Sequence, residues 1–515
     1  MKVLVRESIA DAGIALLRAE GLEVDVDTTS PLLEIIGGYD ALIVRSATKV
    51  TAEVIEHGVN LKVVGRAGVG VDNVDVTAAT RRGVVVANAP ESNVISAAEH
   101  TIGLLVALAR NIPQAHSALL AGRWERSSWG GVELANKTLG VLGFGRIGQQ
   151  VARRAVGLYM RVVAYDPFVQ AERFRELGVE SASLDEVLAR AEFLTLHLPL
   201  NAETRGAIND AAFAKMRDGV RLVNAARGDL IDDDALIRAL ESGKVAGAAL
   251  DVFTEEPYSG PLLSAPNIVL TPHLAASTDE AQDRAGVIVA EQVAAALQGG
   301  LVTNAVNIPT VGAEELEVLG PFIPVAAKLG RLALALAGEE VRKLRLDYSG
   351  DLAQYDTRLL TVAALNGAFE GRSDQTVNYV NAPLIAAERG IEVIEGKRSS
   401  SKDYRNLVQV AADDITVAGT TIGKENRQWL VEAFGFQLEI ELASRMALLL
   451  YDDVPGVIGR MGTLFGDAGV NIANMTVSRN REGGKALMAL SIDSPVPEEL
   501  IRALREGTDR AFVIQ

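Results

Sequence analysis

Apolar residues run along this chain in two rhythms. Short aliphatic runs recur from the N terminus: KVLVR within Met1–Arg6, EVDVD, ALIVR (Ala41–Arg45), LKVVGR (Leu61–Arg66) and VVVANAP. Runs this short and rich in β-branched residues predict buried strands. Between them the apolar positions recur every three or four residues, first over Ser8–Ala19, which predicts helices. The alternation predicts a small parallel α/β domain without a glycine fingerprint of its own. A long apolar helix, Val94–Ala109, follows. The strand rhythm then resumes in TLGVLG, RVVAYD (Arg161–Asp166), FLTLHLP, GVRLVNAA, AGAALDVF and NIVLTPH. These predict a second doubly wound parallel sheet over residues 96–275. The helix Asp279–Gly299 is expected to return to the first domain, so that residues 1–95 and 276–303 form one discontinuous unit.

Beyond Asn304 the pattern changes. VNIPTV reads as a linker, with Pro309 interrupting regular structure. Residues 304–442 mix helix (FIPVAAKLGRLALALAG) and strand (KLRLDYSG, ITVAGTTIG) into an α+β region without a catalytic signature. Residues 443–515 read strand, helix, strand, strand, helix, strand, which is the βαββαβ order of a ferredoxin-like module.

Composition narrows what these domains do. A chain of 515 residues is too long for one ordinary core. Its 48% hydrophobic content describes a globular protein. A net charge of −17 offers no basic face and speaks against nucleic acid as a partner. Met1–Glu7 lacks the apolar core of a signal peptide, and no uninterrupted run predicts a membrane span, so the cytoplasm is the expected compartment. With no cysteine and only five histidines, none in an H-x₃-H cluster, no metal site is expected.

The chemistry begins at TLGVLGFGRIG (Thr138–Gly148), where a strand enters a glycine turn and a helix leaves it. Gly143, Gly145 and Gly148 stand at G-x-G-x-x-G spacing. The first permits the turn, the second admits a pyrophosphate to the backbone, and the third lets helix and strand pack closely. The helix start, with Arg146 and Ile147, presents free N–H groups to phosphate. Asp166 ends the next strand, where a carboxylate accepts from the adenosine ribose hydroxyls and repels a 2′-phosphate. A Rossmann-type NAD domain is the reading.

Ligands in such sheets sit at the carboxyl ends of the strands. Three candidates stand at strand ends: Arg227 in NAARGDLID, Glu256 in LDVFTEEP and His273 in VLTPHLAAST. Taken singly, Arg227 reads as a solvated loop residue, Glu256 as one of two exposed acids before Pro257, and His273 as a satisfied side chain beside Pro272. Their joint occurrence after an NAD fingerprint points instead to hydride transfer with a 2-hydroxy acid. Histidine supplies the base for alcohol oxidation and the acid for the reverse. A carboxylate on its other ring nitrogen fixes the tautomer. A guanidinium grips a substrate carboxylate through two parallel donors. The same strand ends supply further candidate cofactor contacts: His197 and Leu198, Ala225 and Ala226, and Ala275 and Ala276, with Arg227 and His273 shared. Asp251 either orients the cofactor or supports the site.

These motifs resemble the D-isomer-specific 2-hydroxyacid dehydrogenases over roughly Met1–Asn304. The family's Arg, Glu and His match Arg227, Glu256 and His273. LIVRSATKVT, VGRAGVGVDNVD, TLGVLGFGRIG and DVFTEEP together resemble the D-3-phosphoglycerate dehydrogenase branch. That resemblance implies NAD-dependent oxidation of D-3-phosphoglycerate to 3-phosphohydroxypyruvate, the first step of L-serine biosynthesis. It places substrate contacts at Arg45, Lys49, Arg66, Ala67, Gly68, Val69 and Gly70, and at Arg126 in a loop that crosses to a neighbouring subunit in relatives. Val69 stands where relatives often carry Thr. The final module, with YDDVPGVIGRMG and GVNIA, resembles an ACT regulatory domain. L-serine is its expected effector, with Tyr451, Asp453, Gly456, Val457 and Asn471 as candidate contacts. Residues 304–442 resemble the intervening domain of the longest members, in which GKRSSSKDYRN (Gly396–Asn406) is a solvated loop or an anion site. The resemblance also suggests a homotetramer. Two alternatives stay open: another D-2-hydroxyacid dehydrogenase, such as a glyoxylate or hydroxypyruvate reductase, and a non-catalytic NAD(H) sensor.

Overall fold

The computed structural model describes residues 1–514 apart from Thr310, Glu339, Asp374, Gln375 and Lys402. The first sheet contains β1 (Lys2–Val5), β2 (Glu23–Val26), β3 (Ala41–Val44), β4 (Val63–Arg66) and β5 (Val85–Ala87), all parallel, in the order β2-β1-β3-β4-β5. Alternate residues bury opposite faces, as the period of two requires. Val3, Val5, Ala41 and Ile43 pack with the helices Asp11–Ala19 and Asp279–Leu297, while Leu4, Leu42 and Val44 face the other side. The helix after the second sheet therefore returns to the first.

The second sheet holds β6 (Thr138–Leu142), β7 (Arg161–Tyr165), β8 (Glu180–Ser181), β9 (Phe193–Leu196), β10 (Val220–Asn224), β11 (Val245–Leu250) and β12 (Ile268–Leu270). Its order is β12-β11-β10-β9-β6-β7-β8, again all parallel. Chain direction across the sheet reverses between β6 and β9, which opens a crevice at their carboxyl ends. The helices Val94–Arg110 and Arg146–Gly157 cover one face of this sheet.

A mixed sheet follows: β13 (Lys343–Gly350), β14 (Glu392–Arg398), β15 (Asn406–Ala412), β16 (Ile415–Ile422), β17 (Arg427–Ala433) and β18 (Phe436–Glu441). The order is β14-β13-β15-β16-β17-β18, with only the β13/β14 pair parallel. The helices Ile323–Ala337 and Arg358–Phe369 pack against it. The helical stretch Glu314–Ala337 reaches membrane-spanning length and apolarity, yet Val325, Leu329 and Leu332 on it belong to this buried core.

The last sheet is antiparallel: β19 (Met446–Asp452), β20 (Ile472–Arg479), β21 (Lys485–Ile492) and β22 (Arg510–Ile514), in the order β20-β21-β19-β22. Ala447, Leu449, Met488 and Leu490 face the helices Val457–Asp467 and Glu498–Gly507. Met446, Leu448, Leu487 and Ala489 point the other way and join the core of the mixed sheet. The mixed sheet thus covers that face of β19 and β21.

The segment expected to be a linker is held in place. Ala305 forms an antiparallel bridge with Ala87, and the Val306 amide donates to the Val86 carbonyl at 2.7 Å. The Asn307 side chain accepts from the Val86 amide and donates to the Val84 carbonyl, both at 2.9 Å. Pro309 breaks regular structure only after this pairing is complete. β5 is an edge strand, and the segment supplies partners its outer backbone groups otherwise lack.

Candidate active site

Three segments at the crevice build the site. The glycine turn comes first. Gly143 has φ of +92°, and a Cβ there would fall on the His197 carbonyl. A Cβ on Gly148 would strike the Gly143 carbonyl, so strand and helix touch through these two positions. Gly145, at the start of the helix Arg146–Gly157, has only open space where a Cβ would stand. That opening, lined by unpaired helix N–H groups, fits a pyrophosphate. Asp166 accepts from the Phe144 amide at 2.8 Å and the Phe168 amide at 2.9 Å, one bond to each oxygen. It fixes the turn and keeps lone pairs for a ribose. Arg146 pairs with Glu91 at 3.0 Å, and Ile147 stands beside it in the first helical turn. On the far side of the turn, His197 and Leu198 follow β9. The His197 ring meets the Thr195 hydroxyl at 3.0 Å, and burial pushes its pKa down to about 4.

The second segment follows β10. Buried Asn224 accepts from the Ala226 amide at 3.0 Å and donates to the Arg227 carbonyl at 2.8 Å, which locks the turn Ala225–Ala226–Arg227. Arg227 Nη1 donates to the Ala226 carbonyl, and Nη2 lies 3.0 Å from where a Gly70 Cβ would stand. Gly228 abuts Phe253 so closely that a side chain there would collide with its backbone. The Phe253 amide in turn donates to Glu256 Oε1 at 3.1 Å. The Arg227 and Glu256 loops are therefore neighbours.

The third segment follows β12. His273 Nδ1 meets Glu256 Oε2 at 2.7 Å. With the proton on Nδ1, Nε2 is left as the proton acceptor. His273 has φ of +55°, an uncommon conformation for a residue with a side chain. Asp251 holds it there. Its carbonyl accepts from the His273 amide, and its carboxylate accepts from the Leu274 and Ala275 amides at 2.8 and 2.9 Å. Thr271 Oγ1 donates to the same carboxylate at 2.6 Å, and His100 Nε2 lies 3.1 Å from it. Asp251 is fully buried, and although burial opposes its charge, these donors hold its pKa below the usual range. Of the two roles expected of it, supporting the site is the one these bonds serve. Ala276 lies beside buried Ala275 in the same loop.

Facing this from the first sheet are the loops after β3 and β4. Glu7 accepts from the Arg45, Ala47 and Thr48 amides at 3.0, 3.2 and 2.8 Å, shaping the turn that carries Arg45 and exposed Lys49. Burial alone would raise the Glu7 pKa, but the donors from Thr48, Arg45 and Ala47 hold it low. Asn73 ties the Arg45 and Thr48 carbonyls from the other side. In the loop Arg66, Ala67, Gly68, Val69, Gly70, the Arg66 guanidinium folds over Gly68, and among the described residues its buried Nε has no hydrogen-bond partner. Burial pulls the Arg66 pKa down; Asp72 opposes this, while Arg227 and Arg45 add repulsion. Crowded guanidiniums with an unspent donor form a place for an anion.

The other expected residues lie apart. Arg126 is exposed after the helix Ile112–Leu120, and among the described residues no hydrogen bond or ion pair joins it to the cleft. In the tail, Tyr451 is buried in the module's core, with burial and then Asp453 raising its pKa. Asp453 pairs with Arg479 at 3.4 Å, and Asn471 donates to Asp493 at 2.5 Å. Gly456, at φ of +91°, leads into the helix that begins at Val457. In the stretch Gly396–Asn406, Arg405 pairs with Asp351 at 2.6 Å and Lys397 donates to the Tyr355 carbonyl; Lys402 lies outside the described residues. The sequence assigned no role to Glu7, Asn73, Asn224, His100 or Thr271, since each acts through a hydrogen bond that only the fold creates.

Three family models match the chain. Residues 102–275 match the NAD-binding domain of D-isomer specific 2-hydroxyacid dehydrogenases, 318–432 the D-3-phosphoglycerate dehydrogenase intervening domain, and 446–506 the ACT domain. The D-3-phosphoglycerate dehydrogenase of Archaeoglobus fulgidus is 44% identical, covering 98% of this chain and 97% of that one. That of Methanocaldococcus jannaschii is 44% identical, over 98% of each chain. Among solved structures, a D-lactate dehydrogenase from Aquifex aeolicus complexed with NAD and lactic acid superposes with a TM-score of 0.53 at 29% identity, covering 60% of this chain and 100% of that one. A glyoxylate reductase from Paecilomyes thermophila gives 0.54 at 33% identity, covering 59% and 98%.

Proposed function

The chain belongs to the D-3-phosphoglycerate dehydrogenase family, and on that premise we propose that it oxidises D-3-phosphoglycerate to 3-phosphohydroxypyruvate, the first step toward L-serine. The Gly143–Gly148 turn would hold NAD, which would supply the hydride acceptor. His273 Nε2 takes the hydroxyl proton, and Glu256 on Nδ1 stabilises the imidazolium that forms. Arg227 orients the substrate carboxylate and polarises the adjacent oxygen. Arg45, Lys49 and the Arg66–Gly70 loop hold the phosphate. Asp166 selects NAD over NADP by repelling a 2′-phosphate.

The observation that carries this reading is the 2.7 Å contact between His273 and Glu256, beside a loop whose Arg227 Nη2 lies 3.0 Å from where a Gly70 Cβ would stand. Catalytic groups from one sheet thus face anion-binding groups from the other. The crowding of Arg45, Arg66 and Arg227 favours an acid that carries both a carboxylate and a phosphate over glyoxylate or hydroxypyruvate. The intact acid/base pair favours an enzyme over a sensor. In the tail, the helix start at Gly456–Val457 receives an amino-acid carboxylate, with Asp453 and Asn471 at hand for its ammonium, and L-serine is the effector proposed. Residues 1–95 with 276–303, 96–275, 304–442 and 443–515 are the functional units, in a cytoplasmic homotetramer whose neighbouring subunit lends Arg126.

The test is NADH production from D-3-phosphoglycerate and from unphosphorylated D-2-hydroxy acids, with and without L-serine. Turnover of the phosphorylated acid, slowed by L-serine, is expected. Turnover of unphosphorylated acids alone makes it a different D-2-hydroxyacid dehydrogenase, and binding of NAD without turnover makes it a sensor.

A further inference from the structure

The segment that pairs with β5 ends one residue from the substrate loop. The Asn88 amide donates to the Asn304 carbonyl at 3.2 Å, while Asn88 Nδ2 donates to the Val69 carbonyl at 2.5 Å. The next amide, Ala89, donates to the Gly68 carbonyl at 2.8 Å. We propose that Asn88 is a positioning residue for the Arg66–Gly70 loop, and that the regulatory half of the chain reaches the substrate site through it. The proposal rests on reading that loop as the holder of the substrate's anionic groups.

The regulatory half is fastened to the same strand. Leu359 and Val380 bury Ala87 together with Val302, Ala305 and Ile308. Asn378 Nδ2 donates to the Gly83 carbonyl at 2.6 Å, just before β5. Asn307 grips Val84 and Val86, and its Nδ2 also reaches Thr80 Oγ1 at 3.1 Å. The core behind these contacts continues into the tail sheet through Met446 and Leu448. A shift of the regulatory half is therefore felt at β5 and at the Asn304–Asn307 segment paired with it. From there the route is short. The Asn88 side chain is short and its Nδ2 is held on the Val69 carbonyl, so a displaced backbone at residue 88 pulls on that carbonyl. Val69 lies between Gly68, over which the Arg66 guanidinium folds, and Gly70, which abuts Arg227 Nη2. Moving the Val69 carbonyl changes the spacing of these two guanidiniums, and with it the fit of an acid with two anionic groups. The NAD turn, on the other sheet, is untouched by this route.

The experiment is a double-mutant cycle in the full chain, with Asn88→Ala, Asn307→Ala and the pair. Asn88→Ala is expected to raise KM for D-3-phosphoglycerate about tenfold, the loss of one half-buried hydrogen bond, with kcat and the KM for NAD little changed. Asn307→Ala, remote from substrate, is expected to raise the same KM about threefold, and the pair to be no worse than Asn88→Ala alone. Hydrogen exchange at Ala67–Gly70 should quicken in Asn307→Ala, a readout that stands even where Asn88→Ala folds poorly. The proposal is overturned by an unchanged KM and unchanged exchange in Asn307→Ala, by multiplying effects in the pair, or by equal rises for acid and NAD in Asn88→Ala. Failure of the underlying activity shows separately, as a wild type that makes no NADH from D-3-phosphoglycerate. The cycle is then read on the D-2-hydroxy acid that it does oxidise.

Discussion

His273 sits at φ of +55° because Asp251 accepts from the amides of residues 273, 274 and 275 through its carbonyl and carboxylate. Backbone in that region costs of order 1–3 kcal/mol for a residue with a side chain and persists only where its surroundings over-determine it. Here the surroundings aim the imidazole at Glu256. The sequence offered the residue types, a histidine and a glutamate at strand ends, because side-chain chemistry is legible directly. The buried carboxylate that holds the loop had only a general expectation attached to it, since its bonds to Thr271, Leu274 and Ala275 exist only once β11 and β12 lie side by side. His273→Asn keeps a polar side chain of similar size but cannot take a proton. It is expected to lower kcat by about 10²–10⁴-fold, with the NAD dissociation constant unchanged in a fluorescence titration. Near-wild-type turnover would remove His273 from the chemistry.

At the scale of elements, the three glycines of the Thr138–Gly148 unit play separable parts. Gly143 and Gly148 are required by packing: a Cβ on either meets backbone. Gly145 meets nothing, so its small size serves a ligand and not the fold. Gly148→Ala is therefore expected to lower the thermal midpoint. Gly145→Ala is expected to leave that midpoint unchanged while weakening NAD binding at least about tenfold, since a methyl group would occupy the place of a phosphate oxygen. Thermal melts paired with NAD titrations read both, and a Gly145→Ala protein that binds NAD normally would contradict the assignment of the phosphate site. The elements themselves were largely readable. Aliphatic runs became strands because parallel sheets bury both faces, leaving no polar alternation to blur the signal. The exact pairing partners of the mixed sheet were not, because antiparallel register depends on turns and on irregularities such as the register shift between Ala418 and Gly419.

Across the whole molecule, the chain is less modular than its motifs suggest. Leu448 and Leu487 of the tail sheet belong to the same buried core as Leu346 and Leu430 of the mixed sheet. The two regulatory units should therefore unfold together. Leu448→Ala is expected to cost about 2–5 kcal/mol and, in calorimetry, to lower one transition shared by both units while leaving that of the NAD-binding sheet in place. Separate transitions for the tail and the mixed sheet would show that the shared core is not cooperative. The pairing of Ala305 with Ala87 likewise turns an apparent linker into the outer partner of an edge strand. By itself the sequence determined the succession of strands and helices, the glycine turn and the kinds of group at the strand ends, because periodicity and side-chain chemistry are local properties. Only the tertiary structure decided which loops face one another, that Asp251 sets the His273 backbone, and that Asn88 stands between the regulatory half and Val69. Those are hydrogen bonds between residues far apart in the chain, and no local pattern encodes them.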